Sequence, residues 1–209
     1  MKPKTDLRRS VWPLLHQNCR KKARNLWTRE YLTEYVVIPL RKLISSLSPE
    51  RIAEILSSFP CRKDEDLEYF LREMAVMYEK KHLARTSLIF ERGSYTRPIA
   101  YFTIAVSSMD ASGLDCDNTL RKKMNIHNNV AQSYLIGQLG KRDGAPRGLG
   151  EFAISCAIDL IKDANEKVGC RLLRLECKKA LIEYYKKSGF ILIGFDDEKD
   201  LYEMIKILV

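Results

Sequence analysis

One stretch constrains the fold more than any other. Leu139-Gly140-Lys141-Arg142-Asp143-Gly144-Ala145-Pro146-Arg147-Gly148-Leu149-Gly150-Glu151 leaves a β-rich run, Ala131 to Leu139, and enters a helical one, Gly148 to Lys167. Phe152, Ile154, Ala157, Ile158 and Ile161 form the apolar stripe of that helix. Beyond it the pattern gives a strand at Arg171 to Cys177, a helix at Lys178 to Lys187, and strands at Phe190 to Phe195 and Tyr202 to Val209. Upstream, Ser48-Pro49-Glu50 combines a capping hydroxyl, proline at the first helical position and an acid in the first turn. It predicts a short helix through Ile52, Ile55 and Leu56 that stops before Pro60. A second helix is expected from Asp64 to Lys80, with Leu67, Phe70, Leu71, Met74, Met77 and Tyr78 as core. Strands follow at Thr86 to Phe90 and Ile99 to Val106, and residues 110–130 read as a polar insertion without a convincing period. Helices, then antiparallel-looking strands, then β-α-β-α-β-β make an α/β (α+β) fold.

The glycine stretch has its own chemistry. The first N–H groups of a helix have no intrahelical acceptor, and the helix dipole adds positive charge there. Such an end can hold an anion, most often phosphate. Gly148 and Gly150 remove Cβ atoms where a pyrophosphate must approach the main chain, and Arg142 and Arg147 stand to pair with its oxygens. The glycines are equally readable as plain turn residues. The stretch is neither a P-loop nor a complete G-x-G-x-x-G dinucleotide fingerprint.

Charge divides the chain. Its net charge is +9, yet residues 1–48 hold 11 Lys and Arg against three acids, and the remainder holds 25 against 24. The densest cluster is Arg20-Lys21-Lys22-Ala23-Arg24. After it, Leu26, Tyr31, Leu32, Tyr35, Val36, Leu40 and Leu43 recur at roughly helical spacing, with Pro39 breaking or bending the run. Residues 1–47 therefore read as a basic helical extension and 48–209 as one folded domain. The extension is either a basic arm for RNA or another acidic partner, or an amphipathic helix that docks its stripe and leaves its charges solvated. The same stripe would suit a homodimer.

Several classes fall away. No apolar run reaches the length of a membrane span, and the basic N-terminus lacks the apolar block of a secretory signal. The six cysteines carry no C-x-x-C pair and the three histidines no ligand spacing, so no metal site is expected and the thiols fit a reducing, cytoplasmic setting.

The helix near the end reads Leu181-Ile182-Glu183-Tyr184-Tyr185-Lys186-Lys187-Ser188-Gly189-Phe190. Strand, Gly-x-Gly helix, strand, and a helix closing on Tyr-Tyr-Lys-Lys-Ser-Gly-Phe together resemble the GNAT superfamily of acyl-CoA-dependent N-acyltransferases. The pyrophosphate loop of that family is Q/R-x-x-G-x-G/A, and its later helix commonly reads F-Y-x-x-x-G-F. Gly148 and Gly150 match the glycines and Tyr185 the tyrosine, while the Gln/Arg position is Ala145 and the nearest cation is Arg147. The likeness spans about residues 50–209. It implies a mixed, mostly antiparallel sheet flanked by helices, with acetyl-CoA as cosubstrate.

The resemblance also implies roles. Leu139, Gly140 and Lys141 would present main-chain groups to the pantetheine arm, and Arg142, Arg147, Gly148, Leu149 and Gly150 would hold the pyrophosphate. Tyr185 would be the general acid for the departing thiolate, against the plainer reading of a helix tyrosine packing its ring. Glu176 would be a general base, or else an acid in an ion pair with a nearby lysine. Cys177 reads as a small packed side chain. The expected activity is direct transfer of acetyl from acetyl-CoA to a primary amine of unassigned identity. The alternatives are a toxin-type member that acetylates aminoacyl-tRNA, and a non-catalytic module that binds acetyl-CoA.

Overall fold

A computed structural model describes residues 34–114 and 116–208. In chain order the elements are β1 (Tyr35–Pro39), α1 (Leu40–Ser46), α2 (Pro49–Ser57), α3 (65–80), β2 (Arg85–Glu91), β3 (Ala100–Asp110), α4 (Asn118–Met124), β4 (Val130–Lys141), α5 (Leu149–Asn165), β5 (Leu172–Cys177), α6 (Ile182–Lys187), β6 (Ile191–Asp196) and β7 (Leu201–Ile207). The strands form one seven-stranded sheet in the order β1-β2-β3-β4-β5-β7-β6. β1 with β2, β5 with β7 and β6 with β7 are antiparallel, and β4 with β5 is parallel. The parallel pair follows from α5, because parallel neighbours need a long crossover and a helix supplies it. The α/β reading with a mostly antiparallel sheet is thus the architecture of the chain.

The described residues cluster into two compact units, one holding residues 34–102 together with Leu139–Ala153, the other Thr103–Gln138 and residues 154–208. In the first, Ile38, Leu40 and Leu43 pack with Ile55, Leu56, Phe59, Leu71, Leu88 and Tyr101. The expected start of α2 is present: Ser48 accepts from the Arg51 N–H, Pro49 opens the helix and Glu50 lies in its first turn. α3 contains a π-helical turn at Phe70–Met74 that the apolar spacing did not announce. Glu79, at its far end, is buried with its carboxylate on the Arg85 guanidinium at 3.0 Å and the Thr86 N–H at 2.7 Å, so the buried charge is paired and hydrogen-bonded. In the second unit Met109, Met124, Ala131, Leu172 and Ile205 form the buried centre of a further apolar cluster.

Two expectations are corrected. Tyr35 and Val36 belong to a strand, not to a helix running from Leu26 to Leu43, and β1 is in register with β2 from Tyr35↔Glu91 to Pro39↔Ser87. Val36, Val37 and Ile38 are β-branched, and tertiary pairing with β2 outweighs the accidental helical spacing. Pro39 does break the run, at the junction with α1. The described part of that stripe packs inside its own unit instead of offering a face to a second subunit. Residues 1–33, with the Arg20–Arg24 cluster, lie outside the described residues.

The second correction concerns residues 110–130. They contain α4, capped by the Asp117 carboxylate on the Leu120 N–H at 2.7 Å. Leu120 and Met124, four residues apart, both join the apolar cluster. Two turns are too short for a period to show in the sequence. Minor shifts accompany these: β3 runs on to Asp110, and α6 is entered through a 3-10 turn at Lys179–Leu181.

Candidate functional site

The glycine stretch begins on β4, whose last three residues are Leu139, Gly140 and Lys141. Gly140 is buried beside Tyr101: a Cβ there would lie 2.9 Å from Tyr101 Cε1 and 3.3 Å from Leu67 Cδ1. Tyr101 is itself fixed, its hydroxyl donating to Leu67 O at 2.7 Å and its ring stacked on Phe70. Glycine at this position therefore lets the strand end pass close to an immobile aromatic ring.

The next residues are tied down. Arg142 N–H donates to Ile99 O and Asp143 N–H to Pro60 O, both at 2.9 Å, and Ala145 N–H closes a turn on Arg142 O. Asp143 accepts from the Arg62 N–H at 3.2 Å. The Arg142 guanidinium stands 3.8 Å from the Glu91 carboxylate, which offsets part of its charge. Asp143 was not among the sequence candidates, although an Asp-Gly step is a recognisable turn signal. It holds the loop from one end.

The other end turns into α5. Gly148 has φ +83°, a conformation that glycine adopts without a Cβ penalty. Its carbonyl takes the first helical bond, from Phe152 N–H at 3.1 Å. The N–H groups of Leu149, Gly150 and Glu151 consequently have no acceptor within α5. Leu149 is fully buried and anchors the turn, while Arg147 is exposed beside it. Of the sequence candidates, the Leu149 and Gly150 N–H groups and the Arg147 side chain have no partner among the described residues, whereas the Arg142 main chain and side chain are both engaged.

Tyr185 lies in the other unit, near the end of α6. The Phe190 N–H donates to Tyr185 O at 3.2 Å and the Gly189 N–H to Lys186 O at 2.9 Å. Those two bonds, with Gly189 at φ +81°, make a Schellman motif. Its usual apolar contact is present as the Phe190 ring against the Tyr185 ring, 6.0 Å between centroids. The Tyr-Lys-Lys-Ser-Gly-Phe sequence thus has a local purpose: it ends the helix and sets Phe190 on the tyrosine. Tyr185 is buried, with Tyr184 edge-on at 5.1 Å. Burial, with Cys177 nearby adding to it, pushes the phenol up to about 12.

Gly189→Ala should cost about 1–2 kcal/mol, since an L side chain is strained at this φ. Its Cβ would also fall 2.5 Å from Lys206 Nζ, which donates to Ser188 O at 2.6 Å. Urea denaturation of the variant beside the parent measures the loss.

Glu176 sits near the end of β5 and is held by cations. Its carboxylate accepts from Lys199 Nζ at 3.0 Å and stands 3.5 Å from the Arg174 guanidinium, which also binds Glu203 at 3.0 Å. The lysine ion pair is therefore present. The neighbouring Cys177 is buried and its thiol is pushed up, which leaves little nucleophilic thiolate. Among the described residues no group of His, Cys, Asp or Glu could hold a metal ion, and no helix is long and apolar enough to cross a membrane.

No family model matches this chain, and no curated protein sequence does. Solved structures share its fold. A tyrosine-to-phenylalanine mutant of KacT superposes with a TM-score of 0.65 at 19% identity, over 81% of this chain and 94% of that one. AtaT complexed with acetyl-methionyl-tRNAfMet gives 0.64 at 18% identity, over 81% and 94%. A mutant AtaT toxin bound to acetyl-CoA and to the C-terminus of the antitoxin AtaR gives 0.62 at 16%, over 83% and 93%. The order of strands and helices, the glycine turn into α5 and these superpositions agree: this chain has the GNAT fold.

Proposed function

We propose that this chain is an acetyl-CoA-dependent N-acetyltransferase of the toxin type, with the amino group of an aminoacyl-tRNA as acceptor. The observation that carries it is the superposition on AtaT in complex with acetyl-methionyl-tRNAfMet over most of both chains. The charge distribution supports it. Residues 1–33 hold nine Lys and Arg against two acids, a composition suited to a polyanion. Transfer to some other primary amine is the broader form of the same reading.

In the proposed reaction the neutral amine attacks the acetyl carbonyl carbon, a C–N bond forms and the C–S bond breaks. The amine gives up its proton to water, and the departing thiolate takes one from the Tyr185 hydroxyl. A phenol with its pKa near 12 stays protonated throughout the working range, as an acid must before it donates. The turn at Gly148 would hold the diphosphate of acetyl-CoA through the N–H groups of Leu149, Gly150 and Glu151, with Arg147 alongside. The adjoining end of β4, with Leu139, Gly140 and Lys141, would present main-chain groups to the pantetheine arm. Glu176 is ion-paired with Lys199 and stands beside the Arg174 guanidinium, where it would organise charge at the end of β5.

Calorimetric titration with acetyl-CoA tests the cosubstrate directly. One-site binding in the micromolar range is expected, and an absence of heat and of any competition by free CoA would contradict the proposal.

A further inference from the structure

Lys206 stands where the strand pattern calls for an apolar side chain. Ile205 and Ile207, beside it on β7, pack into the apolar cluster on one face of the sheet, and strand alternation sets Lys206 on the other face with Met204. Met204 is fully buried, and so is Leu173, the partner of Lys206 across the β5–β7 ladder. Lys206 is half-buried there and takes part in no ion pair among the described residues. Burial, with the Lys162 charge adding to it, pushes the ammonium below the usual lysine range. A cation in such surroundings costs stability that a methionine of similar length would not.

What the ammonium reaches accounts for its place. Nζ donates to Ser188 O at 2.6 Å and lies 6.0 Å from the centre of the Phe190 ring, a cation over an aromatic face. Gly189, between these two residues, leaves room for it, since a Cβ there would fall 2.5 Å from Nζ. Both contacts lead to Tyr185. The Ser188 N–H donates to Tyr185 O at 2.9 Å, the Phe190 N–H donates to the same carbonyl at 3.2 Å, and the Phe190 ring lies against the phenol ring. α6 has only six residues, so few internal bonds hold its last turn. A cation on a carbonyl at that end satisfies an acceptor the helix leaves open and complements the helix dipole. From β7, Lys206 thus fastens the residues on which Tyr185 rests.

We propose that Lys206 is a positioning residue, which fixes the last turn of α6 and the Phe190 ring so that the Tyr185 hydroxyl is held toward the departing thiolate, a role that rests on Tyr185 being the general acid. Steady-state acetyl transfer from acetyl-CoA to mixed aminoacyl-tRNAs compares the full-length parent, Lys206→Met, Tyr185→Phe and the double variant. Lys206→Met should lower kcat about tenfold or more, with KM for acetyl-CoA within about twofold of the parent. In the Tyr185→Phe background the same change should cost no further kcat, because no hydroxyl is left to place. Lys206→Gln keeps N–H donors without the charge and carries the same comparison if the methionine variant does not fold. Equal losses in both backgrounds would mean that Lys206 only supports the fold. An unchanged kcat in Lys206→Met, beside a large loss in Tyr185→Phe, would mean that the turn needs no such fastening. Either result overturns the role of Lys206 and leaves the proposed function standing. A Tyr185→Phe variant as active as the parent, or a parent that transfers no acetyl, would overturn the proposed function and the role of Lys206 with it.

Discussion

Tyr185→Phe is expected to lower acetyl transfer about a hundredfold or more, with acetyl-CoA affinity nearly unchanged. The substitution removes one hydroxyl and keeps the ring, so the edge-on contacts with Tyr184 and Phe190 persist. A loss confined to kcat is the signature of a group that acts in the transition state alone. The pH behaviour gives an independent check. Tyrosine ordinarily titrates near 10, and burial raises this phenol to about 12, so the folded state holds the proton more tightly than the unfolded chain. Below about pH 10 both states are protonated and the group contributes no pH dependence to stability; between about 10 and 12 stability falls as pH rises. The phenylalanine variant should lack that particular fall in alkaline urea titrations. Full activity in the variant would remove Tyr185 from the mechanism.

Gly148→Glu and Gly150→Glu are expected to abolish measurable acetyl-CoA binding while the chain stays folded. At Gly148 two costs combine. Its φ of +83° strains any L residue by about 1–2 kcal/mol, and a carboxylate placed among helix N-terminal donors competes with a phosphate for them. The strain lowers the stability of the free and the bound chain alike, whereas the carboxylate, by taking donors the phosphate needs, acts on affinity. Gly150 lies inside the first turn of α5, so there the effect is charge and bulk without backbone strain. Arg142→Ala should change affinity much less than Arg147→Ala, because the Arg142 guanidinium already faces Glu91 and that of Arg147 is exposed. Equal losses from the two arginines would mean that Arg142 leaves Glu91 when the anion arrives. Isothermal calorimetry on the four variants reads both comparisons.

How much of this was legible in the sequence depends on how local each cause is. The cap at Ser48-Pro49-Glu50, the glycine turn into α5 and the Schellman ending at Gly189-Phe190 are short-range devices, and each was visible in a few consecutive residues. β1 was not. Tyr35-Val36-Val37-Ile38-Pro39 sits between residues that happen to fall at helical spacing, and only the pairing with β2, some fifty positions away, makes it a strand. α4 failed to show for the opposite reason, being too short to establish a period. The order β5-β7-β6, which makes β6 an edge, is likewise a product of long-range pairing.

The candidate site divides the same way. Gly148, Gly150 and Tyr185 could be picked out by type and spacing. The engagement of Arg142 with Glu91 and Ile99, the tie of Asp143 to the Arg62 and Pro60 main chain, and the double ion pair on Glu176 all join segments far apart in the chain. No window of sequence contains both partners.

The most direct test of the proposed function is acetyl transfer to charged transfer RNA. The purified chain would be incubated with acetyl-CoA and a mixture of aminoacyl-tRNAs, the RNA digested, and the terminal aminoacyl-adenosines weighed by mass spectrometry. The expected result is the mass of one acetyl group on the amino nitrogen of at least one aminoacyl-adenosine, dependent on acetyl-CoA and strongly reduced in Tyr185→Phe. Intact, unacetylated aminoacyl-adenosines throughout, from a protein that binds acetyl-CoA in the calorimeter, would contradict transfer RNA as the acceptor.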